Sequence, residues 1–472
     1  MANVLLINPP WTKKGGNIWK TVSSCWPSQA LAIIAAVLEQ EGHEVKILDS
    51  PAMHVALNDL KQYLKDNYNK FNPDFVGISI TTVLFEFGTK ATEICKEIWP
   101  NCKTVVGGPH PTSEPEETIK IKTIDFVVRD EGEYTFKEII NGEDIKKILG
   151  LTYKNNDGKI IHNLVRPFLK RLDELPMPAY HLLPMDKYYP ATSTYRKLPA
   201  MSLVVSRGCP GKCTFCFQPY GALVRQRSAK KIFEEVKLLH EDFGINEICF
   251  YDDNFCTYQE NVREFCSLLS NYCKEKNIKI PWGCFSRVDW IQEETIKAMK
   301  DSGCHTIMFG VESANEQVLK NIKKNINLDM VIQVNKLIQK HGISTRAAFM
   351  FGNPGETKET MRETIEFAIK LDPDVVIFNV LAPNPGTEVY KWAKENGYLK
   401  EKKWEDYDLY TPIMTLPTVS PETIQEYYKL GYRKFYLRPS YLFRRLVRLK
   451  DPIELKNALG GMRAVFSVIT ET

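Results

Sequence analysis

A chain of 472 residues, 43% hydrophobic and 25% charged, has the composition of a globular protein of two or three domains. Its net charge of +4 is too small for that length to argue for nucleic acid, and no apolar run approaches the ~18–20 residues that span a bilayer. Twelve cysteines would suit a secreted disulfide scaffold, but the opening MANVLLINPP has no basic stretch ahead of an apolar core, so a cytoplasmic location is expected.

The first 145 residues alternate apolar, β-rich runs at 3–8, 44–49, 75–80, 103–108 and 125–130 with helix-period stretches at 30–40 and 88–98. Continuous apolar strands separated by helices predict a doubly wound parallel sheet covered on both faces. Such sheets bind ligands at the strands' carboxyl ends. Three of those ends are marked: Asn8-Pro9-Pro10-Trp11, the run from Ser79 through Thr81 and Thr82, and Gly107-Gly108-Pro109-His110. Glycines and hydroxyls there suit close backbone approach to a large, polar-edged ligand. The plainer reading is a tight turn at Gly107-Gly108 and strand-end capping at Ser79 to Thr82. No G-x-G-x-x-G is present, so a nicotinamide dinucleotide is not expected.

Residues 146–195 read as a hinge-like linker. They hold a hairpin turning at Asn156-Asp157-Gly158, a basic cluster from Arg166 to Arg171, and a proline-studded stretch at 175–180. From 196 the alternation resumes with a longer period. Strand candidates begin at Leu203, Glu247, Trp282, Thr306, Ser344 and Val375, predicting a partial (β/α)6 barrel to about 420. Barrel chemistry lives at carboxyl-terminal strand ends, where Asp252-Asp253-Asn254, Ser286-Arg287, Glu312-Ser313 and Gly352 to Glu356 fall. Ser313 and Glu356 serve equally well as helix starts.

Just beyond the first barrel strand lies SRGCPGKCTFCFQP, with Cys209, Cys213 and Cys216 spaced C-x-x-x-C-x-x-C. A [4Fe–4S] cluster normally takes four thiolates, so three leave one iron open for a ligand. Zinc and buried free thiols are the rivals, but no second C-x-x-C or H-x-x-x-H lies nearby. Cys249, Cys256, Cys266, Cys273, Cys284 and Cys304 show no second cluster spacing. The tail at 421–472 is expected to be a small helical region. Tyr427, Tyr428, Tyr432 and Tyr436 recur at helical spacing, Pro439 interrupts, and aromatics interleave with Arg and Lys through 451. It reads as a lid packed on the barrel, with a peripheral membrane contact and a nucleic-acid patch as the competing uses.

The three-cysteine spacing, with Phe215 before its last cysteine and Phe217 after, closely resembles that of radical S-adenosylmethionine enzymes. NPPW, GHEVKILD, VGISITT, VVGGPHPT and DEGEYTF, in that order, resemble the cobalamin-binding domain fused to many of them. The resemblance implies an α/β protein: a Rossmann-like cobalamin domain at 1–145, a linker at 146–195, a barrel at 196–420 and a helical extension. It implies a [4Fe–4S] cluster on the three cysteines and S-adenosylmethionine held by Phe215, Asp252, Asp253, Asn254, Ser286, Arg287, Glu312 and Ser313. Cobalamin would lie against Pro10, Trp11, Ser79, Thr81, Thr82, Gly107, Gly108 and His110. His110 is also suited to a plain turn. The D-x-H-x-x-G loop that places histidine under cobalt is absent at Asp49 to His54, so no histidine from that motif is expected on the metal.

The implied reaction is methylation of an unactivated carbon, using a 5′-deoxyadenosyl radical and a methyl carried on cobalamin. The alternative is oxidative cyclisation of the anaerobic magnesium-protoporphyrin ester type, or rearrangement. Partners expected are a small or lipid-like substrate and a ferredoxin or flavodoxin as electron donor, with no nucleic acid.

Overall fold

The computed structural model describes residues 1–11, 24–191, 194–399, 403–447 and 452–470. Apolar runs too continuous to leave a face to water become parallel strands: β1 (Asn3–Asn8), β2 (Glu44–Asp49), β3 (Phe75–Ser79), β4 (Lys103–Gly107) and β5 (Phe126–Val128). Their order, β2-β1-β3-β4-β5, reverses direction between β1 and β3. At that reversal the helices leave a crevice at the strands' carboxyl ends.

The hairpin expected in the linker belongs to this sheet. β6 (Leu151–Lys154) pairs antiparallel with β5, and β7 (Ile160–His162) pairs with β6. Gly158 supplies the positive φ of +77° that the turn needs. The sheet therefore runs past the boundary expected at 145. Three-residue β5 would otherwise present an open edge, and the hairpin covers it. The rest of the linker is no hinge either. Tyr180, 2% exposed, donates to Glu235 Oε1 at 2.6 Å, and Tyr188 donates to Asp49 Oδ2 at 2.9 Å. One apolar cluster joins the two halves, from Leu6 and Phe136 through Tyr180 to Val236 and Trp282.

The second sheet is parallel throughout, built from β8 (Ala200–Leu203), β11 (Glu247–Phe250), β12 (Trp282–Phe285), β13 (Cys304–Glu312), β14 (Ser344–Phe351) and β15 (Val375–Val380) in that spatial order. It is the expected six-stranded partial barrel. The first strand ends at Leu203 rather than starting there, and β13 begins two residues before Thr306. A short ribbon of β9 (Ser206–Arg207) and β10 (Arg225–Gln226) brackets the cysteine loop.

The barrel is open beyond β15, and the helix Pro421–Tyr436 closes that edge. Tyr436 Oη donates to Val376 O (2.6 Å) and accepts from Val376 N (3.0 Å); Tyr432 Oη donates to Phe378 O (3.1 Å) and accepts from Phe378 N (3.3 Å). Two phenols thus satisfy backbone groups that a seventh strand would have taken. The tail packs on the barrel as an edge cover. The last part of its basic run, 448–451, lies outside the described residues. Among the described residues no helix is long and apolar enough to cross a membrane.

Candidate functional site

Gly208 opens the cysteine loop at φ +89°, where a Cβ would stand 2.3 Å from Leu223 O, so only glycine fits. The loop is then pinned by its backbone. Cys209 N donates to Gly221 O (3.1 Å), Thr214 N to Ile322 O (3.0 Å), and Gln218 Nε2 to Gly211 O (2.7 Å). A Cβ on Gly211 would stand 3.4 Å from Cys209 Sγ, 3.8 Å from Cys213 Sγ and 3.5 Å from Arg287 Nη1. The missing side chain keeps a hollow between two sulfurs and a guanidinium.

Burial pushes the Cys213 thiol up and the Cys216 thiol up to about 12. Without a metal both are protonated and inert; a bound iron would hold them as thiolates. Among the described residues no three His, Cys, Asp or Glu side chains converge on one ion. A cubane takes each thiolate on a different iron, so three thiols of one loop that do not converge on a single point suit it.

The Asp252-Asp253-Asn254 trio divides by direction. Asp252 is buried and its Oδ1 accepts from Val205 N (2.9 Å), Ser206 N (2.5 Å) and Ser206 Oγ (2.5 Å), fixing the chain as it enters the loop. Asn254 Oδ1 accepts from Ser286 Oγ (2.7 Å) and Arg287 N (3.1 Å), tying two strand ends together. Of the three, Asp253 alone is exposed; it makes no hydrogen bond or ion pair among the described residues, and stands close enough to Cys216 to raise that thiol further. Surrounding protein raises its own carboxyl.

Arg287 spends most of its fork on Asp289, Nε to Oδ1 at 3.1 Å and Nη2 to Oδ2 at 2.7 Å, leaving Nη1 toward the loop. Glu312, at φ +71°, pairs with buried Lys324 (3.1 Å), whose ammonium also acts on Cys213. A non-glycine residue there is uncommon and marks a constrained position. Ser313 is buried against Thr364 (3.3 Å) and accepts from Asn315 N, the structural alternative, while Phe215 packs on the barrel core. Glu356 accepts from Gly352 N and Asn353 N and holds its own loop. Asp289, four residues past β12, and Lys324, three past the helix Glu316–Asn321, carry no motif that would mark them in the sequence.

Burial pushes Asp252 and Glu356 up to about 7. Relative to an unfolded carboxyl near 4, folding favours their protonated forms. The stability they confer is full below pH ~4 and lost as pH rises through about 7. Asp253→Ala is expected to weaken S-adenosylmethionine binding by about tenfold or more at unchanged iron content. Asp252→Ala is expected to lower the melting temperature instead. Equilibrium dialysis beside a melting curve separates them; equal effects on both readouts would refute the division.

In the first half, the reversal between β1 and β3 opens into a cleft. Leu6, Leu31, Ile34, Val105, Val128 and Phe136 form apolar walls, Gly77, Ser79, Gly107 and Gly108 the strand-end floor, and Asp130 to Glu133 one rim. A Cβ on Gly77 would stand 2.7 Å from Leu6 and Phe136, and one on Gly108, at φ +106°, 2.8 Å from Ile80 O. The glycines keep the floor low. Such a slot suits a flat apolar group with a polar periphery, and fits part of a corrinoid.

Of the expected contacts, Ser79, Gly107 and Gly108 line this cleft. Pro10, Trp11, Thr81 and Thr82 do not. His110 turns away from it: fully buried, it lies between Phe85 (4.2 Å) and Trp404 (5.0 Å), with neither ring nitrogen hydrogen-bonded among the described residues. Burial lowers it to about 4, so it is neutral, and Glu117 at 3.8 Å is too far for a hydrogen bond. The aromatic pair overrode the strand-end signal.

The far rim comes from the barrel half. Arg207 and Tyr220, flanking the cysteine loop, line the same cleft. Arg207 pairs with Glu131 (3.0 Å) and Glu133 (2.5 Å), and Arg225 with Glu131 (2.6 Å). Trp26 Nε1 donates to Tyr251 Oη (3.2 Å), and Gln29 Oε1 accepts from Val204 N (2.7 Å). The two halves share one wall.

The Radical SAM superfamily pattern matches residues 203–368, and a B12 binding domain matches residues 18–140. An uncharacterized methyltransferase of Pyrococcus horikoshii is 37% identical over 99% of both chains. The anaerobic magnesium-protoporphyrin IX monomethyl ester cyclase of Rubrivivax gelatinosus is 25% identical, over 98% of this chain and 82% of that one. Among solved structures, the cobalamin-dependent S-adenosylmethionine radical enzyme OxsB shares the fold at a TM-score of 0.73 and 17% identity, over 99% of this chain and 72% of that one.

Proposed function

The chain belongs to the radical S-adenosylmethionine enzymes that carry a B12-binding domain, and we propose that it methylates an unactivated carbon of a small organic substrate. The shared wall carries this reading: Arg207 and Tyr220 bound the cleft on one side and the cysteine loop on the other. In this reading, Cys209, Cys213 and Cys216 hold the cluster, and the free carboxylate of Asp253 takes the methionyl amino group. Arg287 Nη1 faces the methionyl carboxylate, with Glu312 and Lys324 flanking it. Asp252, Asn254 and Ser286 keep those strand ends in place, and Ser79, Gly107 and Gly108 seat the flat tail of cobalamin. When bound, the cluster with S-adenosylmethionine supplies a hydrogen-abstracting radical, and cobalamin supplies the methyl group.

Methyl transfer is favoured over cyclisation because the full-length relative in Pyrococcus horikoshii bears a methyltransferase name. A ferredoxin or flavodoxin would reduce the cluster. Exposed Leu442, Phe443, Leu455, Leu459 and Met462 on the terminal helices support a peripheral membrane contact.

Anoxic reconstitution with iron, sulfide and hydroxocobalamin tests the reading. Corrin bands are expected to survive desalting. Added reductant and S-adenosylmethionine are expected to give S-adenosylhomocysteine matching the bound corrin, and 5′-deoxyadenosine. Loss of the corrin bands sinks methyl transfer; 5′-deoxyadenosine without S-adenosylhomocysteine points to the cyclase type.

A further inference from the structure

Side chains on the barrel strands alternate between a helix-covered face and the interior. On the covered face Ile307, Ala347 and Val376 are no more than 1% exposed. Their interior neighbours Met308, Arg346 and Val375 are only half-buried, so solvent reaches the inner face of these strands. Strand register places Phe285, Met308, Arg346 and Val375 side by side across β12 to β15.

Arg346 differs from the three arginines that join the two halves or flank the cysteine loop. Arg207, Arg225 and Arg227 each hold a buried carboxylate. Arg346 makes no hydrogen bond or ion pair among the described residues, and its Nε is buried without an acceptor. The groups facing it are Tyr251, Tyr436, Cys249 and a second guanidinium, Arg445. Burial lowers it, yet an arginine stays charged, so a cation sits here with no counter-charge among the described residues. Beside it stand aromatics in tilted and edge-on contact. Phe285 lies 4.7 Å from Tyr251, and Tyr251 lies 5.8 Å from Trp26 and is 38% exposed. On β15 the buried Oδ1 of Asn379 also lacks a donor.

We propose that Arg346 anchors an anionic group of the substrate, a carboxylate or phosphonate borne on a flat apolar body that lies against Trp26, Tyr251 and Phe285. The inference rests on the proposed function and deepens it by making the barrel interior the substrate chamber and naming the substrate class. Met308 stands beside Arg346 in register, and Glu312 follows four residues along β13, about 13 Å at ~3.3 Å per residue. The anion is therefore remote from the Glu312–Lys324 pair at the cysteine loop, and the reacting carbon lies several bonds from it.

Benzoate and phenylphosphonate, titrated calorimetrically into the anoxic full-length protein, test this and tell the two anion classes apart. Wild type is expected to bind at least one of them saturably. Arg346→Gln weakens that binding by about tenfold or more, and Arg346→Lys retains part of it. Without probe, Arg346→Gln melts at or above the wild-type temperature, because it removes an uncompensated charge; a purely structural arginine would make it melt lower. Equal binding by wild type and Arg346→Gln, no saturable binding by wild type, or a lower melting temperature for Arg346→Gln overturns the proposal. The titration is read whether or not the chain loads corrin and cluster, so failure of that loading counts against the function alone.

Discussion

Cys213→Ala yields protein that, after anoxic reconstitution, holds far fewer than four irons and makes no 5′-deoxyadenosine from S-adenosylmethionine. Cys213 Sγ borders the hollow at Gly211 together with Cys209 Sγ, and with Cys216 the loop offers only three thiols. A cubane on three thiolates has no protein ligand to spare, so losing one removes the cluster rather than tuning it. The fold is expected to survive, because the loop is held by backbone bonds from Cys209, Thr214 and Gln218 that do not involve the thiol. Iron and sulfide analysis with an anoxic turnover assay checks this. Wild-type levels of 5′-deoxyadenosine from the variant would disprove the cluster assignment, as would zinc in the purified wild type.

The second large effect concerns Glu131. Its carboxylate, 4% exposed, accepts from Arg207 (3.0 Å), Arg225 (2.6 Å) and Leu169 N (2.7 Å). Arg225 is itself 6% exposed, so Glu131→Ala strands one buried guanidinium and halves the partners of another. Breaking a buried ion pair from one side costs about 3–5 kcal/mol, because the remaining charge has no solvent. Glu131 and Arg207 stand on facing rims of the cleft, so corrin retention after desalting is expected to fall in step. Glu131→Ala with Arg225→Met removes both charges and is expected to recover part of the loss. Denaturation midpoints and corrin absorbance read both effects. A loss below about 1 kcal/mol, or no recovery in the double variant, would show that the network does not join the halves.

How legible the site was in the chain depended on the direction of side chains. Asp252, Asp253 and Asn254 were marked together because they follow a strand. Near a strand's end consecutive side chains still alternate, so Asp252 and Asn254 turn into the protein while Asp253 turns out. Period two was the available signal. It was not available for His110, whose packing partner Trp404 lies 294 positions later in the numbering and carries no motif. Arg346 shows the same limit: within STRAAFMF nothing distinguishes an arginine on a solvent face from one inside a chamber.

Composition, periodicity and spacing by themselves determined the two parallel sheets, their marked carboxyl ends and the three-thiol loop, because each depends on residues close together in the chain. Only the tertiary structure decided that the hairpin extends the first sheet, that aromatic packing takes His110 away from the cleft, and that Arg207 and Tyr220 close it from the other half. Those outcomes turn on which open edge, cavity or charge finds its complement across hundreds of residues, and burial sets that preference only once the halves have met.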